Sequence, residues 1–490
     1  MRSLPSQPPR PISKASGGLF ASTLALASVL LVLAGCASVP DATTTAPIDP
    51  ASLASAQTLK GEAGAWPEQA WWQGFNDPQL NGLMDEAFAN SPDMLAAGAR
   101  LKKAQSFSNQ VKAAMEPDAS FNASIQETKQ SLNMGFPPAF KDFLLDGYHP
   151  STRITVEANY DLDLWGKSKA AVKGAAGQQK AAELEAVVVR QNLGVAIARA
   201  YVELNHLYET RDFLADLKHG ADIKLELYQA RADRHLEPQD TVLRARDEQA
   251  QVAGRIAAVD GAIAAQGHLI AALVGAGPDR ALTLTRPNLA PADAFALPDD
   301  VHANLLGRRP DVLAARLRVE AQGQNIKYTQ ADYYPDVKLS AYFGLQAIGI
   351  PNLTNSGSDI GGIGPAFSLP LFHQKRLDAA YRSAEADYDL AVADYDTALT
   401  HALQDVADAA NGTRTTLGQV TAAQARRDGA QDGYQLSSAR FQRGLATKMD
   451  VLTAHANVVT ADSALSDLKA QAYNDRISFI AALGGGYAPN

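Results

Sequence analysis

Ile154-Thr155-Val156-Glu157-Ala158-Asn159-Tyr160-Asp161-Leu162-Asp163-Leu164 sets an apolar or small side chain at every even position and a polar or charged one at every odd position. Successive side chains of a strand point to opposite faces, so the stretch reads as a strand with one oily face and one charged face in water. The same period recurs three times. Phe121, Ala123 and Ile125 alternate with Ser120, Asn122, Ser124 and Gln126. Val337, Leu339, Ala341, Phe343 and Leu345 alternate with Lys338, Ser340, Tyr342, Gly344 and Gln346. Ile363, Pro365, Phe367, Leu369 and Leu371 alternate less cleanly with Gly362, Gly364, Ala366 and Ser368. Strands are therefore expected at about 117–131, 150–164, 335–348 and 360–371, as two hairpins. Each is near the length a tilted membrane-crossing strand needs. Glu157, Asp161, Asp163 and Lys338 should face water, and Phe121, Val156, Tyr160 and Phe343 should face lipid.

Proline spacing defines what flanks these strands. Of 25 prolines, none lies between Pro150 and Pro238 or between Pro370 and Pro489, which leaves room for long unbroken helices. In the first gap Leu184, Val188, Gln191, Val195, Ala198 and Val202 alternate steps of four and three, and Leu193, Ile197, Ala200, Leu204 and Leu207 form a second stripe. In the second, Tyr388, Val392, Tyr395, Leu399, Ala402, Val406 and Ala409 do the same, and Val451, Val458, Leu465, Ala472 and Phe479 recur every seventh residue. These are coiled-coil seams, and a helix with two seams packs on two neighbours. Helices are expected at about 166–233, 239–275, 371–442 and 447–485. The longest would reach roughly 100 Å.

Composition fits this plan. The chain has 490 residues, 46% apolar and 20% charged, too polar for a bundle of spanning helices and too apolar for a disordered tail. The net charge of −9 argues against nucleic acid as a partner, since phosphates require a basic face. One cysteine excludes an internal disulfide and a cysteine-built zinc site.

That cysteine is informative. Arg2, Arg10 and Lys14 form a positive segment without acids, Leu19 to Ala34 is apolar, and Leu33-Ala34-Gly35-Cys36 follows. The apolar run is short for a spanning helix and suited to a secretion signal. The end resembles a bacterial lipobox, so residues 1–35 are read as a lipoprotein signal peptide and Cys36 as the lipidated residue. Ala37 stands where an Asp would imply inner-membrane retention, so the resemblance implies the outer membrane. Residues 36–65, rich in Ala, Thr, Ser and Pro, read as a flexible leash.

The chain is also a duplication. Pro92-Asp93-Met94-Leu95-Ala96-Ala97 lies over Pro310-Asp311-Val312-Leu313-Ala314-Ala315, and ten of thirty-two positions from 92 to 123 are identical at this offset. Arg231-Ala232-Asp233-Arg234-His235-Leu236 lies over Arg440-Phe441-Gln442-Arg443-Gly444-Leu445. A first repeat over 66–278, a linker over 279–300 and a second repeat over 301–490 follow, each reading helix, strand, loop, strand, long helix, turn, long helix.

Four strands cannot close a membrane barrel, and an open edge in lipid leaves backbone groups unsatisfied. Copies of the chain must therefore share one barrel, of eight, twelve or sixteen strands. The hairpin loops Leu132–His149 and Gly349–Asp359 would sit outside the cell. Two hairpins packed on a soluble core would give the same alternation, but the lipobox and the long helices set that reading aside.

The pattern resembles the TolC-like outer-membrane efflux factors, in their lipoprotein branch. The resemblance is carried by Trp71-Trp72-Gln73-Gly74-Phe75-Asn76-Asp77-Pro78, Tyr160-Asp161-Leu162-Asp163-Leu164-Trp165-Gly166-Lys167, Arg308-Arg309-Pro310-Asp311, Tyr334-Pro335, Leu369-Pro370-Leu371-Phe372, Arg443-Gly444-Leu445 and Ala482-Leu483-Gly484-Gly485-Gly486-Tyr487. It implies an α+β membrane protein: a homotrimer with a 12-stranded β-barrel, four strands per chain, continued by a long α-helical periplasmic coiled-coil barrel. It also implies a passive export conduit docked to a periplasmic adaptor and an inner-membrane pump. The turns between long helices would be the docking tips: His235, Leu236, Glu237 and Pro238 in the first repeat, Gly444, Leu445, Ala446 and Thr447 in the second. Because His235 stands where the second tip has Gly444, the two turns are expected to differ. The family's acidic aperture residue maps to Asp450, with Thr241 at the repeat-related position and Asp240 beside it. The competing reading of Asp450 is a helix cap.

No catalytic constellation, phosphate loop or metal spacing is present, so no enzyme activity, cofactor or metal is expected. A coiled-coil envelope tether and a protein-secretion channel are the alternative functions. A tether has no use for strands with charged inner faces.

Overall fold

The structure, a computed structural model, describes residues 38–489 apart from 56, 61–63, 130, 132–136, 138–144, 292–295, 299–300 and 370–372. The signal peptide, Cys36, most of the first hairpin loop and Pro370-Leu371-Phe372 lie outside the described residues. The elements run α1 (Pro78–Asn90), α2 (Pro92–Ala113), β1 (Asp118–Thr128), β2 (His149–Asp161), α3 (Lys167–Ala232), α4 (Gln239–Leu273), α5 (Val301–Arg308), α6 (Pro310–Ala331), β3 (Asp336–Ile348), β4 (Asp359–Ser368), α7 (Gln374–Gln442) and α8 (Lys448–Ala482). The duplication is visible in the lengths. Helices α2 and α6 both have 22 residues, and α4 and α8 both have 35.

The chain divides into two compact units, to each of which both repeats contribute. The first holds one antiparallel sheet in the order β1-β2-β3-β4. Phe121 pairs with Val156, Val156 with Phe343, and Phe343 with Gly361, so the apolar sets of all four strands share one face. That face is bare: Phe121 is 69% exposed, Phe343 69% and Ile363 77%. β2 stops at Asp161, short of the expected 164. The reason is local: Asp163 adopts φ +42° and its carboxylate accepts from the N–H groups of Ser168 and Lys169, both at 2.9 Å, capping α3. Trp165 stacks on Tyr334 at 4.9 Å and donates to the Pro335 carbonyl, and Lys167 pairs with Asp332 at 2.6 Å. The Tyr160–Lys167 and Tyr334-Pro335 motifs are thus the corner where sheet becomes helix.

The N-terminal segment departs from expectation. It is a strap laid on α7. In the first unit the Glu385 carboxylate accepts from Thr43 N at 2.8 Å and from Arg382, Arg382 also donates to the Asp41 carbonyl, and Val39 packs on Tyr333, Leu377 and Tyr381. Glu385 is 2% exposed. Burial alone would raise its carboxyl pKa; the Thr43 N–H and the Arg382 guanidinium outweigh that and hold it below the ordinary value. In the second unit Thr45 N donates to Asp389 at 2.7 Å and Ile48 N to Asp396 at 3.0 Å.

The second unit is helical. Its core gathers Trp71, Trp72, Phe75, Leu80, Leu83 and Met84 against Leu193, Ile197, Ala200, Tyr201 and Leu204 of α3, with Ile270, Val274, Ile477 and Ile480. The Trp71-Trp72 pair is core, and of the second α3 stripe Leu193, Ile197, Ala200 and Leu204 are buried, with Leu207 half-buried. Val392, Tyr395, Leu399, Ala402 and Val406 are also buried, as are Val451, Val458, Leu465 and Phe479. Asp77 caps α1 through Gln79 N and receives the buried Tyr201 hydroxyl at 2.8 Å. Arg309, of the Arg-Arg-Pro-Asp motif, pairs with Asp311 at 2.7 Å and Asp405 at 2.9 Å.

Candidate functional site

Two places carry the polar chemistry: the hydrophilic face of the sheet and the two turns between long helices. On the sheet, strand alternation and register bring Glu157, Asp161 and Lys338 to one face. Glu157 lies opposite Tyr342 and Asp161 opposite Lys338. Lys338 turns to Asp336 at 3.6 Å, and Glu157 accepts the Thr155 hydroxyl at 3.0 Å. Asp163 stands outside the sheet as the α3 cap and does not join this row. Two further members of the face are Tyr342, on the polar side of the β3 alternation, and Arg153, one place before Ile154 in the β2 alternation. The Arg153 guanidinium lies 5.7 Å from the centre of the Tyr342 ring. Alternation alone identifies both as members of the polar face.

The two turns are alike, contrary to expectation. Arg231 O accepts from Leu236 N at 2.9 Å and Ala232 O from His235 N at 2.9 Å. In the second repeat Arg440 O accepts from Leu445 N at 2.8 Å and Phe441 O from Gly444 N at 2.9 Å. The pivot is left-handed in both, φ +59° at His235 and +72° at Gly444. This is one helix-ending motif built twice. Histidine is among the non-glycine residues that enter the left-handed region most readily, so the substitution keeps the turn and adds strain.

The difference falls at the entry to the returning helix. Thr447 caps α8 in a reciprocal box: its N–H and hydroxyl donate to the Asp450 carboxylate at 2.6 and 2.8 Å, and Asp450 N donates back at 3.2 Å. The Thr447 N–H and hydroxyl hold the exposed Asp450 carboxyl below its ordinary value. Pro238 occupies the equivalent place in the first turn and gives α4 no side-chain cap. There Asp240 pairs with Arg244 at 2.8 Å, Arg244 also reaches Thr241, and Glu237 takes Arg231 at 3.1 Å. Arg244 was missed by the sequence reading, although acid and base four apart on a helix signal such a pair. Leu236 and Leu445 at the turns are 65% and 66% exposed, and Ala446 follows Leu445 into the α8 cap. The turns thus present an apolar pair ringed by charge. Among the described residues no cluster suited to holding a metal occurs.

Comparison with known proteins places these features. The family model described as "Outer membrane efflux protein" matches residues 83–276 and 301–485. The multidrug resistance outer membrane protein MdtP of Escherichia coli K12 is 29% identical over 476 residues, covering 95% of this chain and 97% of its own. The fusaric acid resistance protein FusA of Burkholderia cepacia is 32% identical over 380 residues, 76% of this chain and 71% of its own. Among solved structures, the outer membrane protein VceC of Vibrio cholerae superposes with a TM-score of 0.79 at 37% identity, over 86% of this chain and 100% of that one. The Campylobacter jejuni CmeC outer membrane channel superposes at 0.78 with 20% identity, over 92% and 94%, a likeness of fold.

Proposed function

Because the chain belongs to the outer membrane efflux protein family, and so builds an outer-membrane efflux channel, we propose that three copies close a single 12-stranded barrel through which small molecules leave passively. The observation that carries this is the sheet itself. It has a bare apolar face, and β1 and β4 each pair on one side only within the chain. Lipid accepts the face but not the edges, so β4 of one copy must meet β1 of the next. Two copies would make an eight-stranded barrel, which side chains fill; three leave a bore for water, lined by Glu157, Asp161 and Lys338. Helix α4 leaves Leu243 and Leu269 exposed, apolar surface that suits packing between copies.

The end bearing the turns is the periplasmic one. Exposed Leu236 and Leu445 with their flanking charges suit docking by an adaptor that couples the channel to an inner-membrane pump. Asp450, one per copy, supplies a ring of three carboxylates at the aperture. Its role in the α8 cap does not compete, because Thr447 engages one carboxylate oxygen. Cys36 carries the lipid anchor, and the strap ties the segment after it to α7. Native mass spectrometry in mild detergent should give three copies of the 51.9 kDa chain less its signal peptide, acylated at Cys36, and planar bilayers should show stable conductance. A monomer without conductance would sink the reading and leave the envelope tether in its place.

A further inference from the structure

The polar face of the sheet contains a preformed patch with no assigned role. Arg153 and Tyr342 project from positions four residues apart in register, since Arg153 lies opposite Gln346 and Tyr342 opposite Glu157. Their side chains lean toward each other across the gap, and the guanidinium comes to rest 5.7 Å from the ring centre. The gap exists because the position between them on β3 is Gly344: a Cβ there would fall 2.0 Å from the Ile154 carbonyl oxygen. On β2 the position between is Thr155, which is 1% exposed and donates its hydroxyl to Glu157. Tyr342 is braced from the other side by Gly362, where a Cβ would come within 3.0 Å of the ring. The cation is thus held along the wall by an aromatic support. Among the described residues no carboxylate pairs with it, unlike Lys338, which turns to Asp336.

Resting on the three-copy barrel, we propose that Arg153 and Tyr342 form a binding collar inside the barrel near its outer end, which takes the carboxylate of small organic anions during export. Arg153 sits at the loop end of the sheet, two residues from Ser151, which closes the β2–β3 register. Threefold symmetry sets three guanidiniums at one height, above three Glu157 carboxylates at another. A planar guanidinium resting on a ring keeps its N–H edges open for bidentate contact with a carboxylate, and the ring offers a stacking surface to an aromatic acid. Alternating cationic and anionic heights let the collar hold an anion briefly without sealing the bore to cations.

The test is benzoate block of the purified full-length channel in planar bilayers. Benzoate added on the loop side should reduce single-channel current in the parent. Arg153→Gln should weaken that block about fivefold and shift permeability toward cations, while remaining a conducting trimer by native mass spectrometry. Tyr342→Phe keeps the ring and should keep the block; Tyr342→Ala frees the guanidinium and should weaken it. Equal block in parent and Arg153→Gln, or none in the parent, overturns the collar while leaving the channel intact. A parent that neither trimerises nor conducts fails at the underlying reading instead, and the collar falls with it.

Discussion

His235 and Gly444 do one job with different chemistry, and the difference is measurable. An L-residue held left-handed costs about 1–2 kcal/mol, which glycine avoids. Gly444→Ala should therefore destabilise the second turn by about 1 kcal/mol, and His235→Gly should stabilise the first by about 0.5 kcal/mol, read from denaturant midpoints of the purified protein. Nothing in the local sequence requires a histidine to take a glycine conformation, and the expectation of unlike turns failed there. Asp450 was readable both as an aperture acid and as a cap; the fold supplies the cap. Its carboxyl is held below the ordinary 3.8, so its contribution is complete above that value and is lost as the pH falls through the folded-state value. Asp450→Ala should lower cation selectivity and block by trivalent cations. If selectivity and block match the parent in a trimer of unchanged mass, Asp450 is a cap alone.

At the level of elements, the strands and long helices were legible because each repeats one period over many residues. Which side chains share a face of the sheet also follows from that period. Val156→Arg, on the bare face, should reduce barrel insertion by roughly 2–4 kcal/mol if it sits near the midplane, measured by refolding into bilayers. The strap was illegible for the opposite reason. Its sequence has no period, and its partner Glu385 lies 342 residues away from Thr43. Its hold depends on carboxylates. The depressed Glu385 pKa means that the clasp is fully made above the ordinary 4.5 and loosens as the pH falls below it. The protection factor of the Thr43 amide, taken against the intrinsic exchange rate at each pH, should fall on acidification below 4.5 and in Glu385→Gln at neutral pH. Unchanged exchange in that variant would show that the strap is held elsewhere.

For the whole molecule, the proposal of a shared barrel rests on the sheet's two open edges more than on any single residue, because lipid offers their backbone groups no partners. The four strands themselves were countable in the sequence, whereas the motifs at the sheet-to-helix corner and beside α7 acquired meaning only with neighbours in place. Asp163 illustrates this: alternation extends through it in sequence, but the backbone turns away two residues earlier to begin α3.

Two of the repeated helix pairs match in length, α2 with α6 and α4 with α8, while the longest pair, α3 and α7, has 66 and 69 residues, and this bears on how such a chain can change over generations. Pro92 to Pro310 spans 218 positions, and Gln239 to Lys448 spans 209, so the copies have drifted apart in length between these points. The hairpins lie in that interval: the link from Thr128 to His149 is longer than that from Ile348 to Asp359. The 22- and 35-residue helices have gained and lost nothing relative to each other. Each extra helical turn would displace one turn tip from its sister by about 5.4 Å. The descendants of the ancestral half are therefore mutual gauges. In the 22- and 35-residue pairs an insertion in one helix would need a matching one in its sister to keep the two tips level, while the links between strands vary independently.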